Sequence, residues 1–562
     1  MLPGAFALVA LSVLTAESDP DAGRFLRYTP LTLGELYEKR IRFHRREPLL
    51  SVGIMDNQPA VTVGATGPIR LMFEEQDLPK TVYGGSETRF VLKRITGKPA
   101  VLRHWVIVES RGPFEREAVL ADAAPFAKAG RETKIFEVGT VVALKGNVLD
   151  TRQLELGIGG FSERESAEQL LRELSREGRT QLFLHEELVA IPTGTIGIFD
   201  EAGALLHRVQ DAVYVGTVVG RQVRVAGVEF ARGYKNHGRE DRQYWGHVYV
   251  VIDGKGQLAV VNSIGAERFL RGLVPAEIFA KAPLEALKAQ AVTARGEIFS
   301  KLGHRHFGDP FHLCSEQHCQ VYQGAQDEQP GPNQAVKETR GLLAVRPREK
   351  ADEPLTLVDS VYSSSCGGYS ETNDTVWGTP PSPSLRAEVD GAKNDPALAA
   401  VKDGLTEPKL RAFLESYPPT DCARATLAQP GKFRWKKAFK QPELDGIGEA
   451  AGVGRIKDVI VLGRGPGGRV TGLRLVGVKG STEVLRELPV RRLFQNLSSG
   501  LFVLDVLKND KGEVVSLTFT GGGWGHGVGM CQMGAIGRAE RGQSFKQILD
   551  HYYGGAVVED VY

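Results

Sequence analysis

The sequence has almost no excess charge of either sign, few cysteines and no long apolar run. Its 70 Lys and Arg against 68 Asp and Glu leave a net charge of +2, so charge gives no reason to expect nucleic acid or an anionic membrane as the main partner. No segment reaches the length of about 18 apolar residues that a membrane-spanning helix needs. Five cysteines in 562 residues are too few for a disulfide scaffold, and because the number is odd they cannot all be paired within the chain.

What the chain does contain is ordinary for a soluble globular protein. Hydrophobic residues make up 42% and charged residues 25%, which excludes a mainly disordered chain. The length corresponds to about three to five domains. Glycine is the exception: 66 of the 562 residues are glycine, about 12% against an average share of roughly 7%.

An apolar run at residues 2–14 is too short to span a bilayer, but it has the length of a signal-peptide core. Ala16 is a suitable residue at the cleavage site, although no Lys or Arg precedes the run. We therefore expect a signal peptide at 1–16 and an exported protein, periplasmic or associated with the cell wall, without an integral membrane segment after processing. The alternative is a buried N-terminal segment.

Residues 17–212 are predicted to form a β-rich N-terminal region. Short apolar runs separated by turn residues follow one another from residue 49, and β-type patterning continues to about residue 143. Around 163–177 the spacing instead predicts a helix, with an apolar face formed by Ala167, Leu170, Leu171 and Leu174. Residues 153–200 loosely resemble half of a SPOR repeat, a peptidoglycan-binding module; the alternative is an ordinary strand–helix–strand unit.

The most helical part of the sequence is 266–302, and it contains Glu277. This glutamate stands between an apolar run and Pro283, which suits the first turn of a helix. An apolar setting would raise the pKa of its carboxyl by desolvation, as a general acid requires at neutral pH. The same position also suits an ordinary surface glutamate near a helix start.

Ordered blocks of sequence extend from Glu277 to the C-terminus. They are Phe-Leu-Arg-Gly-Leu-Val-Pro-Ala-Glu-Ile at 269–278, Cys-Ser-Glu-Gln-His-Cys-Gln-Val-Tyr-Gln-Gly at 314–324, Glu-Thr-Arg-Gly at 338–341, Tyr-Ser-Ser-Ser-Cys-Gly-Gly-Tyr-Ser at 362–370 with Val-Trp-Gly at 376–378, and Gly-His-Gly-Val-Gly-Met-Cys-Gln-Met-Gly-Ala at 525–535. Together they resemble the SpoIID/LytB family of bacterial cell-wall proteins. One departure is Cys531, where the family usually has serine.

The resemblance implies an α+β fold in which 213–562 form a SpoIID-like catalytic domain of mainly antiparallel strands with helices lining a cleft. It implies a lytic transglycosylase that cleaves peptidoglycan glycan strands, denuded of stem peptides, and leaves 1,6-anhydro-N-acetylmuramic acid ends. Glu277 would be the acid and base, and no cofactor would be required for the chemistry. Substrate-binding positions are expected at Gln290, Arg295, Ser364, Ser365, Trp524, His526 and Gln532. The alternative is a non-catalytic, peptidoglycan-binding enhancer of a cell-wall amidase.

Two cysteines and several histidines lie close together in the sequence between residues 304 and 319. Two thiolates with an imidazole suit tetrahedral zinc, and relatives of this type bind zinc near this block. We predict His306, Cys314 and Cys319 as ligands of a structural zinc. A local Cys314–Cys319 disulfide is the rival in an oxidising compartment, and a Cys366–Cys422 pair is a second candidate.

The glycine excess concentrates at 521–529, where six of nine residues are glycine. The run lacks the lysine of a P-loop and the strand–GxGxxG–helix context of a dinucleotide site. Glycine lets another backbone or a ligand approach closely. The segment is therefore suited to form a wall of the glycan groove, and the alternative is a plain structural turn. A cysteine nucleophile at Cys366 paired with His526 is a further alternative.

Overall fold

The computed structural model describes residues 29–44, 46–75, 78–179, 181–217, 221–232, 237–350, 353–392 and 394–562. The predicted leader at 1–16 lies outside these ranges. The described chain combines helices with mainly antiparallel strands, which confirms the predicted α+β class. Within those ranges, no helix has both the length and the hydropathy needed to cross a bilayer.

Strands dominate the chain up to residue 265. They are β1 (Arg42–His44), β2 (Glu47–Gln58), β3 (Ala60–Ala65), β4 (Ile69–Glu75), β5 (Leu78–Gly84), β6 (Phe90–Lys98), β7 (Val101–Arg111), β8 (Thr133–Val138), β9 (Val141–Leu144), β10 (Asn147–Asp150), β11 (Gln153–Phe161), β12 (Phe183–Ala190), β13 (Thr193–Phe199), β14 (Leu205–Gln210), β15 (Ala212–Thr217), β16 (Val223–Phe230), β17 (Gly238–Tyr244), β18 (His247–Ile252) and β19 (Leu258–Gly265). Helices in this part are α1 (Leu33–Glu38), α2 (Arg116–Lys128) and α3 (Arg164–Arg176).

Two sheets contain strands from both sides of the predicted boundary at residue 212. One sheet has the order β1-β2-β19-β18-β15-β4-β5, and the other has the order β14-β13-β6-β3-β16-β17. Hydrogen bonds join β2 to β19 and β4 to β15 across that boundary. The N-terminal strands and the first strands of the predicted catalytic domain therefore share one sheet.

A separate four-stranded sheet, in the order β12-β7-β11-β8, carries α2 and α3. Its connectivity is strand–helix–strand–strand–helix–strand, the ferredoxin-like arrangement. Helix α3 buries Ala167, Leu170 and Leu174 as the spacing predicts. Helix α2 corrects the β-type interpretation of its segment; it buries little besides Val119 and Ala123, so its sequence carries a weak helical pattern. The SPOR-like resemblance covers only the second half of this unit and stays a prediction.

The rest of the chain is more helical. Its helices are α4 (Ala266–Glu277), α5 (Leu284–Lys301), α6 (Pro330–Glu338), α7 (Asn373–Trp377), α8 (Glu407–Glu415), α9 (Asp421–Arg424), α10 (Pro430–Phe433), α11 (Glu443–Ala450), α12 (Glu487–Leu493), α13 (Gln532–Glu540) and α14 (Phe545–Tyr552), with a 3-10 turn at Pro396–Val401. Its strands are β20 (Leu313–Cys314), β21 (Leu342–Val345), β22 (Tyr362–Ser363), β23 (Arg434–Lys440), β24 (Ile456–Arg464), β25 (Val470–Gly477), β26 (Gly480–Leu485), β27 (Phe502–Lys508), β28 (Val514–Gly522), β29 (Met530–Cys531) and β30 (Val557–Asp560).

Helix α5 is the centre of this part and is buried on nearly all sides. It packs against α4, α6, α13, α14 and β21, and its many alanines let those elements approach closely. A helix enclosed on every side belongs to a core. The polar residues that α5 nevertheless carries must therefore find their partners inside the protein.

Candidate active site and candidate metal centre

Glu277 is the last residue of α4, and the next residue, Ile278, is already extended. The apolar face of α4 is buried, so the helix fixes the position of the glutamate at the point where the chain turns away. The carboxyl therefore lies at a helix C-terminus, where the dipole disfavours a negative charge. This is the opposite of the surface position near a helix start that the sequence also allowed.

The Glu277 carboxyl is half-buried, and burial raises its pKa above the usual value. The backbone N–H of Val321 donates to its Oε1 at 2.8 Å, and this bond and Tyr362 act to lower the pKa, while the nearby Glu297 acts to raise it. Glu297 is itself buried and lies 3.5 Å from the Lys301 ammonium. The net result is a carboxyl whose pKa lies above its usual value and that has a backbone donor available when it ionises.

Three side-chain amides hold the surroundings of Glu277 in place. The Tyr362 hydroxyl donates to Gln320 Oε1 at 2.9 Å, and Gln320 donates to the Ala294 carbonyl on α5 at 3.1 Å. Gln532 Nε2 donates to the Glu277 carbonyl at 2.9 Å and to Gln290 Oε1 at 3.2 Å. Two predicted substrate-binding residues, Gln290 and Gln532, are thus next to Glu277 and support its backbone.

His526 contributes to the site through Tyr362. Its Nε2 donates to the Tyr362 carbonyl at 2.8 Å and its Nδ1 accepts the Val528 N–H at 3.1 Å. Burial lowers the pKa of His526 to about 4, which keeps the ring neutral, as this bonding pattern requires. Both ring nitrogens are therefore used by the backbone. The alternative of a Cys366 nucleophile paired with His526 has no geometric support.

The glycine-rich segment and the serine turn run side by side. Ser365 and Trp524 exchange backbone hydrogen bonds of 3.2 and 2.8 Å, and the Ser364 carbonyl accepts the Met533 N–H at 3.2 Å. The Trp524 ring is 45% exposed. An exposed indole beside these polar backbones is available to stack on a sugar ring.

Arg295 has a different environment from the one predicted. Its side chain is fully buried, and its Nε and Nη2 donate to the two carboxylate oxygens of Glu267, each at 2.8 Å. The Tyr562 hydroxyl donates to the same carboxylate at 2.6 Å. This corrects the expectation of a substrate contact: Arg295 has no exposed surface to offer a glycan, and it ties α5 to α4.

The predicted zinc ligands do come together, and His318 joins them. One donor atom from each of His306, Cys314, His318 and Cys319 lies within 4.8 Å of all the others. The His306 Nε2 is 3.3 Å from the Cys319 sulfur, and its Nδ1 is 2.9 Å from Asp309 Oδ2, the outer-shell carboxylate that orients many metal-binding histidines.

The chemistry of this donor set fits tetrahedral Zn²⁺ with two sulfur and two nitrogen ligands. All five cysteines of the chain are free, so the structure contains no Cys314–Cys319 or Cys366–Cys422 disulfide. A hydrogen bond from Cys314, working against burial, lowers the pKa of Cys319 to about 7, which favours the thiolate that binds metal. Val321, the donor to Glu277, follows Cys319 by two residues.

Sequence reasoning located Glu277 but missed its partners. Val321, Gln320 and Tyr362 all lie inside sequence blocks that the family resemblance already marked, as does the fourth metal-site residue, His318. No spacing rule connects them to Glu277, so membership of those blocks was the available signal.

Comparison with known proteins finds similarity to cell-wall-related proteins in the segment that contains this site. The model of the stage II sporulation protein domain matches residues 254–345, and a domain of unknown function matches 371–529. The chain is 30% identical over 342 residues to the amidase enhancer of Bacillus subtilis, covering 55% of this chain and 45% of that protein. It is 25% identical over 308 residues to the stage II sporulation protein D of Bacillus amyloliquefaciens, covering 53% of this chain and 76% of that protein.

An uncharacterised protein of Brachyspira hyodysenteriae is 26% identical over 320 residues, which cover 57% of this chain and 73% of that protein. The segment matched by the domain model includes Glu277, its donor Val321 and all four residues of the metal cluster. Residues 254–345 thus carry a match to the stage II sporulation protein domain, which supports the resemblance of the sequence blocks to the SpoIID family.

Proposed function

We propose that this protein is an exported, cell-wall-associated lytic transglycosylase that cleaves glycan strands of peptidoglycan lacking stem peptides. The observation that carries the proposal is the Glu277 carboxyl, half-buried at a helix C-terminus, with a raised pKa and a backbone donor at 2.8 Å. A raised pKa favours the protonated acid, and the backbone donor stabilises the carboxylate once the proton has been given away.

The reaction requires that one carboxyl act twice. Neutral Glu277 protonates the glycosidic oxygen as the bond from that oxygen to C1 of N-acetylmuramic acid breaks. The carboxylate then takes the proton of the C6 hydroxyl, whose oxygen bonds to C1 and closes the 1,6-anhydro ring. Because the nucleophile is part of the substrate, a second carboxylate to activate water is not needed, in contrast to glycoside hydrolases.

The surrounding groups match these two stages. Burial favours the neutral acid before the first stage, and Val321 N–H together with Tyr362 stabilises the carboxylate between the stages. Preorganised donors of this kind stabilise developing charge without having to reorient. Trp524 and the serine turn would form the groove wall that holds the sugar.

A second candidate function is a non-catalytic enhancer of a cell-wall amidase. The observation that favours it is the 30% identity to a protein named amidase enhancer. Under this alternative the groove binds glycan and presents it to a partner enzyme, and Glu277 has no chemical task. The two candidates therefore differ in whether a covalent product forms.

The test is to incubate the full chain with glycan strands stripped of stem peptides and to analyse the products by mass spectrometry. We expect anhydro-sugar ends from the wild type and a loss of at least about 100-fold for Glu277→Gln, the scale of general acid–base catalysis. Glu449→Gln, at an exposed glutamate that pairs with Lys479 on the surface, is the matched control. Absence of anhydro ends from wild type, with amidase stimulation equal in wild type and Glu277→Gln, would establish the enhancer instead.

We further propose that His306, Cys314, His318 and Cys319 hold a structural zinc ion. The support is the convergence of four donor atoms of suitable type and the position of Cys319 two residues before Val321. The ion would fix the loop that donates to Glu277 and would take no part in the reaction.

A further inference from the structure

A second group of metal-ligand side chains lies in the core, away from the histidine-containing cluster. The thiols of Cys366, Cys422 and Cys531 and the carboxyl of Asp390 each place one donor atom within 4.8 Å of the others. All four side chains are at most 1% exposed. We propose that these residues form a second, buried zinc site with three thiolates and one carboxylate.

Two distances between donor atoms match those of a tetrahedral metal site, and the remaining ones lie within 4.8 Å. Zinc bonds to thiolate at about 2.3 Å and to carboxylate at about 2.0 Å, so a tetrahedron separates two sulfurs by about 3.8 Å and a sulfur from an oxygen by about 3.5 Å. The Cys366 and Cys422 sulfurs are 3.7 Å apart, and the Cys366 sulfur is 3.4 Å from Asp390 Oδ2. A disulfide would need its sulfurs at about 2.05 Å and would leave the third thiol over.

Neighbouring groups orient the donors toward one point. The Cys531 sulfur accepts the N–H groups of Cys366 at 3.2 Å and Gly534 at 3.3 Å, bonds that stabilise a thiolate. The Tyr552 hydroxyl donates to Asp390 Oδ1 at 2.7 Å, which leaves Oδ2 facing the sulfurs. Outer contacts of this kind are typical of metal ligands.

Positive groups around the cluster suit the charge that a metal thiolate centre would have. Three thiolates and a carboxylate around Zn²⁺ carry a net charge of −2, and guanidinium groups lie around the cluster. Arg538 Nε is 3.8 Å from Asp390 Oδ1, and Arg469 and Arg434 donate to the carbonyls of Cys366 and Gly367 at 2.8 Å each. Buried charge is tolerated only when it is paired, and this cluster has positive partners for a metal thiolate centre.

Such an ion would join four separate segments of the chain, two of which lie beside the active site. Cys366 directly follows Ser365 in the serine turn, Cys422 lies on α9, and Cys531 directly precedes Gln532, the residue that holds the Glu277 backbone. The second zinc would thus fix the serine turn and the start of α13, while the first cluster holds the loop that donates to Glu277.

The test begins with metal analysis of the full chain purified without reducing agent or chelator, together with a thiol count after unfolding in chelator. We expect Cys422→Ser and Asp390→Asn each to hold one zinc equivalent less than wild type. Cys319→Ser should lose the zinc of the other cluster, so a variant that combines it with Cys422→Ser should lose two equivalents. All five thiols should titrate. Because metal content is measured without substrate, this result is independent of transglycosylase activity.

Reconstitution of the metal-free protein with Co²⁺ gives a second, spectroscopic measurement of the same site, which supplements the zinc content if a variant folds poorly. We expect Cys319→Ser protein, in which the other cluster is impaired, to keep thiolate-to-cobalt charge-transfer absorption, and the added Cys422→Ser substitution to remove it. Unchanged zinc content in Cys422→Ser, or a Cys366–Cys422 disulfide identified by mass spectrometry in the wild type, would overturn the proposal.

Discussion

At the residue scale, Glu277 combines features that usually oppose each other. Burial and the helix C-terminus favour the neutral carboxyl, while the Val321 N–H and Tyr362 favour the ionised one. A group with only the first influence would hold its proton too firmly, and a group with only the second would have lost it at neutral pH. The balance suits a carboxyl that must donate a proton and then recover one.

This balance predicts the pH dependence of the reaction. Glu277 has a raised pKa, so the active neutral form is present below that pKa and is lost as pH rises through it. Tyr362 lowers the pKa; Tyr362→Phe should therefore move the alkaline limb of kcat/KM to higher pH. The same change removes the hydroxyl that donates to Gln320, so the maximal rate should also fall about 10-fold, the scale of one hydrogen bond of about 1.5 kcal/mol.

The measurement is a pH–rate profile of anhydro-product release for both proteins. Tyr417→Phe, at an exposed tyrosine, is the control and should leave the profile unchanged. An alkaline limb that stays in place in Tyr362→Phe would show that this hydroxyl does not act on Glu277.

Sequence reasoning reached Glu277 through its family block but not the groups that set its pKa. Val321 lies 44 residues along the chain from it, and Tyr362 lies in the block that also contains Cys366. Arg295 shows the converse: it lies in the predicted helical stretch 266–302, yet its partner Glu267 is 28 residues earlier, and only the packing of α4 on α5 reveals the pair. Tertiary contacts, which have no periodic signature, decide all these roles.

At the element scale, α4 and α5 are held together by the buried Arg295–Glu267 pair. Burial opposes ionisation of Glu267, but the Arg295 charge and hydrogen bonds hold the pKa of Glu267 below its usual value. We expect Arg295→Ala to lower the free energy of unfolding by about 3–5 kcal/mol at pH 7, since it leaves a buried carboxylate unpaired.

At acidic pH, the difference in free energy of unfolding between wild type and Arg295→Ala should become smaller. A depressed carboxyl pKa stabilises the fold above the unfolded-state pKa, and this stabilisation disappears as pH falls through the folded-state pKa. Urea unfolding at neutral and acidic pH measures the free energy of unfolding of wild type and Arg295→Ala. The double variant Glu267→Gln/Arg295→Met buries no unpaired charge, so its free energy of unfolding should fall by less than that of Arg295→Ala. Equal losses for Arg295→Ala at both pH values would contradict a role through Glu267.

The loop between α5 and α6 offers a prediction for the first metal cluster. Removing zinc with a chelator, or replacing Cys319 by serine, should increase amide exchange over 313–323 and reduce anhydro-product release, because the Val321 donor is no longer held. His304→Gln is the matched control, since His304 bonds the Thr151 carbonyl and lies outside the cluster. Unaltered exchange in the metal-free protein would exclude a structural ion here.

The sequence predicts those helices and strands whose apolar residues recur with a clear period. The strands within 49–73 and helix α3 follow their apolar patterns, whereas α2 buries too little of one face to be recognised. The shared sheet across residue 212 could not be foreseen either, because strand pairing between distant segments depends on topology rather than on local composition.

At the scale of the whole molecule, two of the hydrophobic cores in the described chain are formed by different parts of the sequence. The main core includes residues from Leu33 to Val561, and a second core is formed by residues between Phe439 and Phe519. The second lobe is therefore inserted in the chain of the first, and β28 leads from it directly into the glycine-rich segment beside the serine turn. The groove wall depends on both cores.

The insertion predicts an asymmetric response to cavity-forming substitutions. Leu473 and Leu71 are both fully buried, in the second and the main core respectively, and Leu→Ala at such sites costs about 2–5 kcal/mol. Leu473→Ala should increase amide exchange between residues 439 and 519 while β2, β18 and β19 stay protected. Leu71→Ala should increase exchange in both lobes, because the inserted lobe has its two ends anchored in the main core. Exchange that rises equally in both lobes after Leu473→Ala would show that the two cores unfold as one unit.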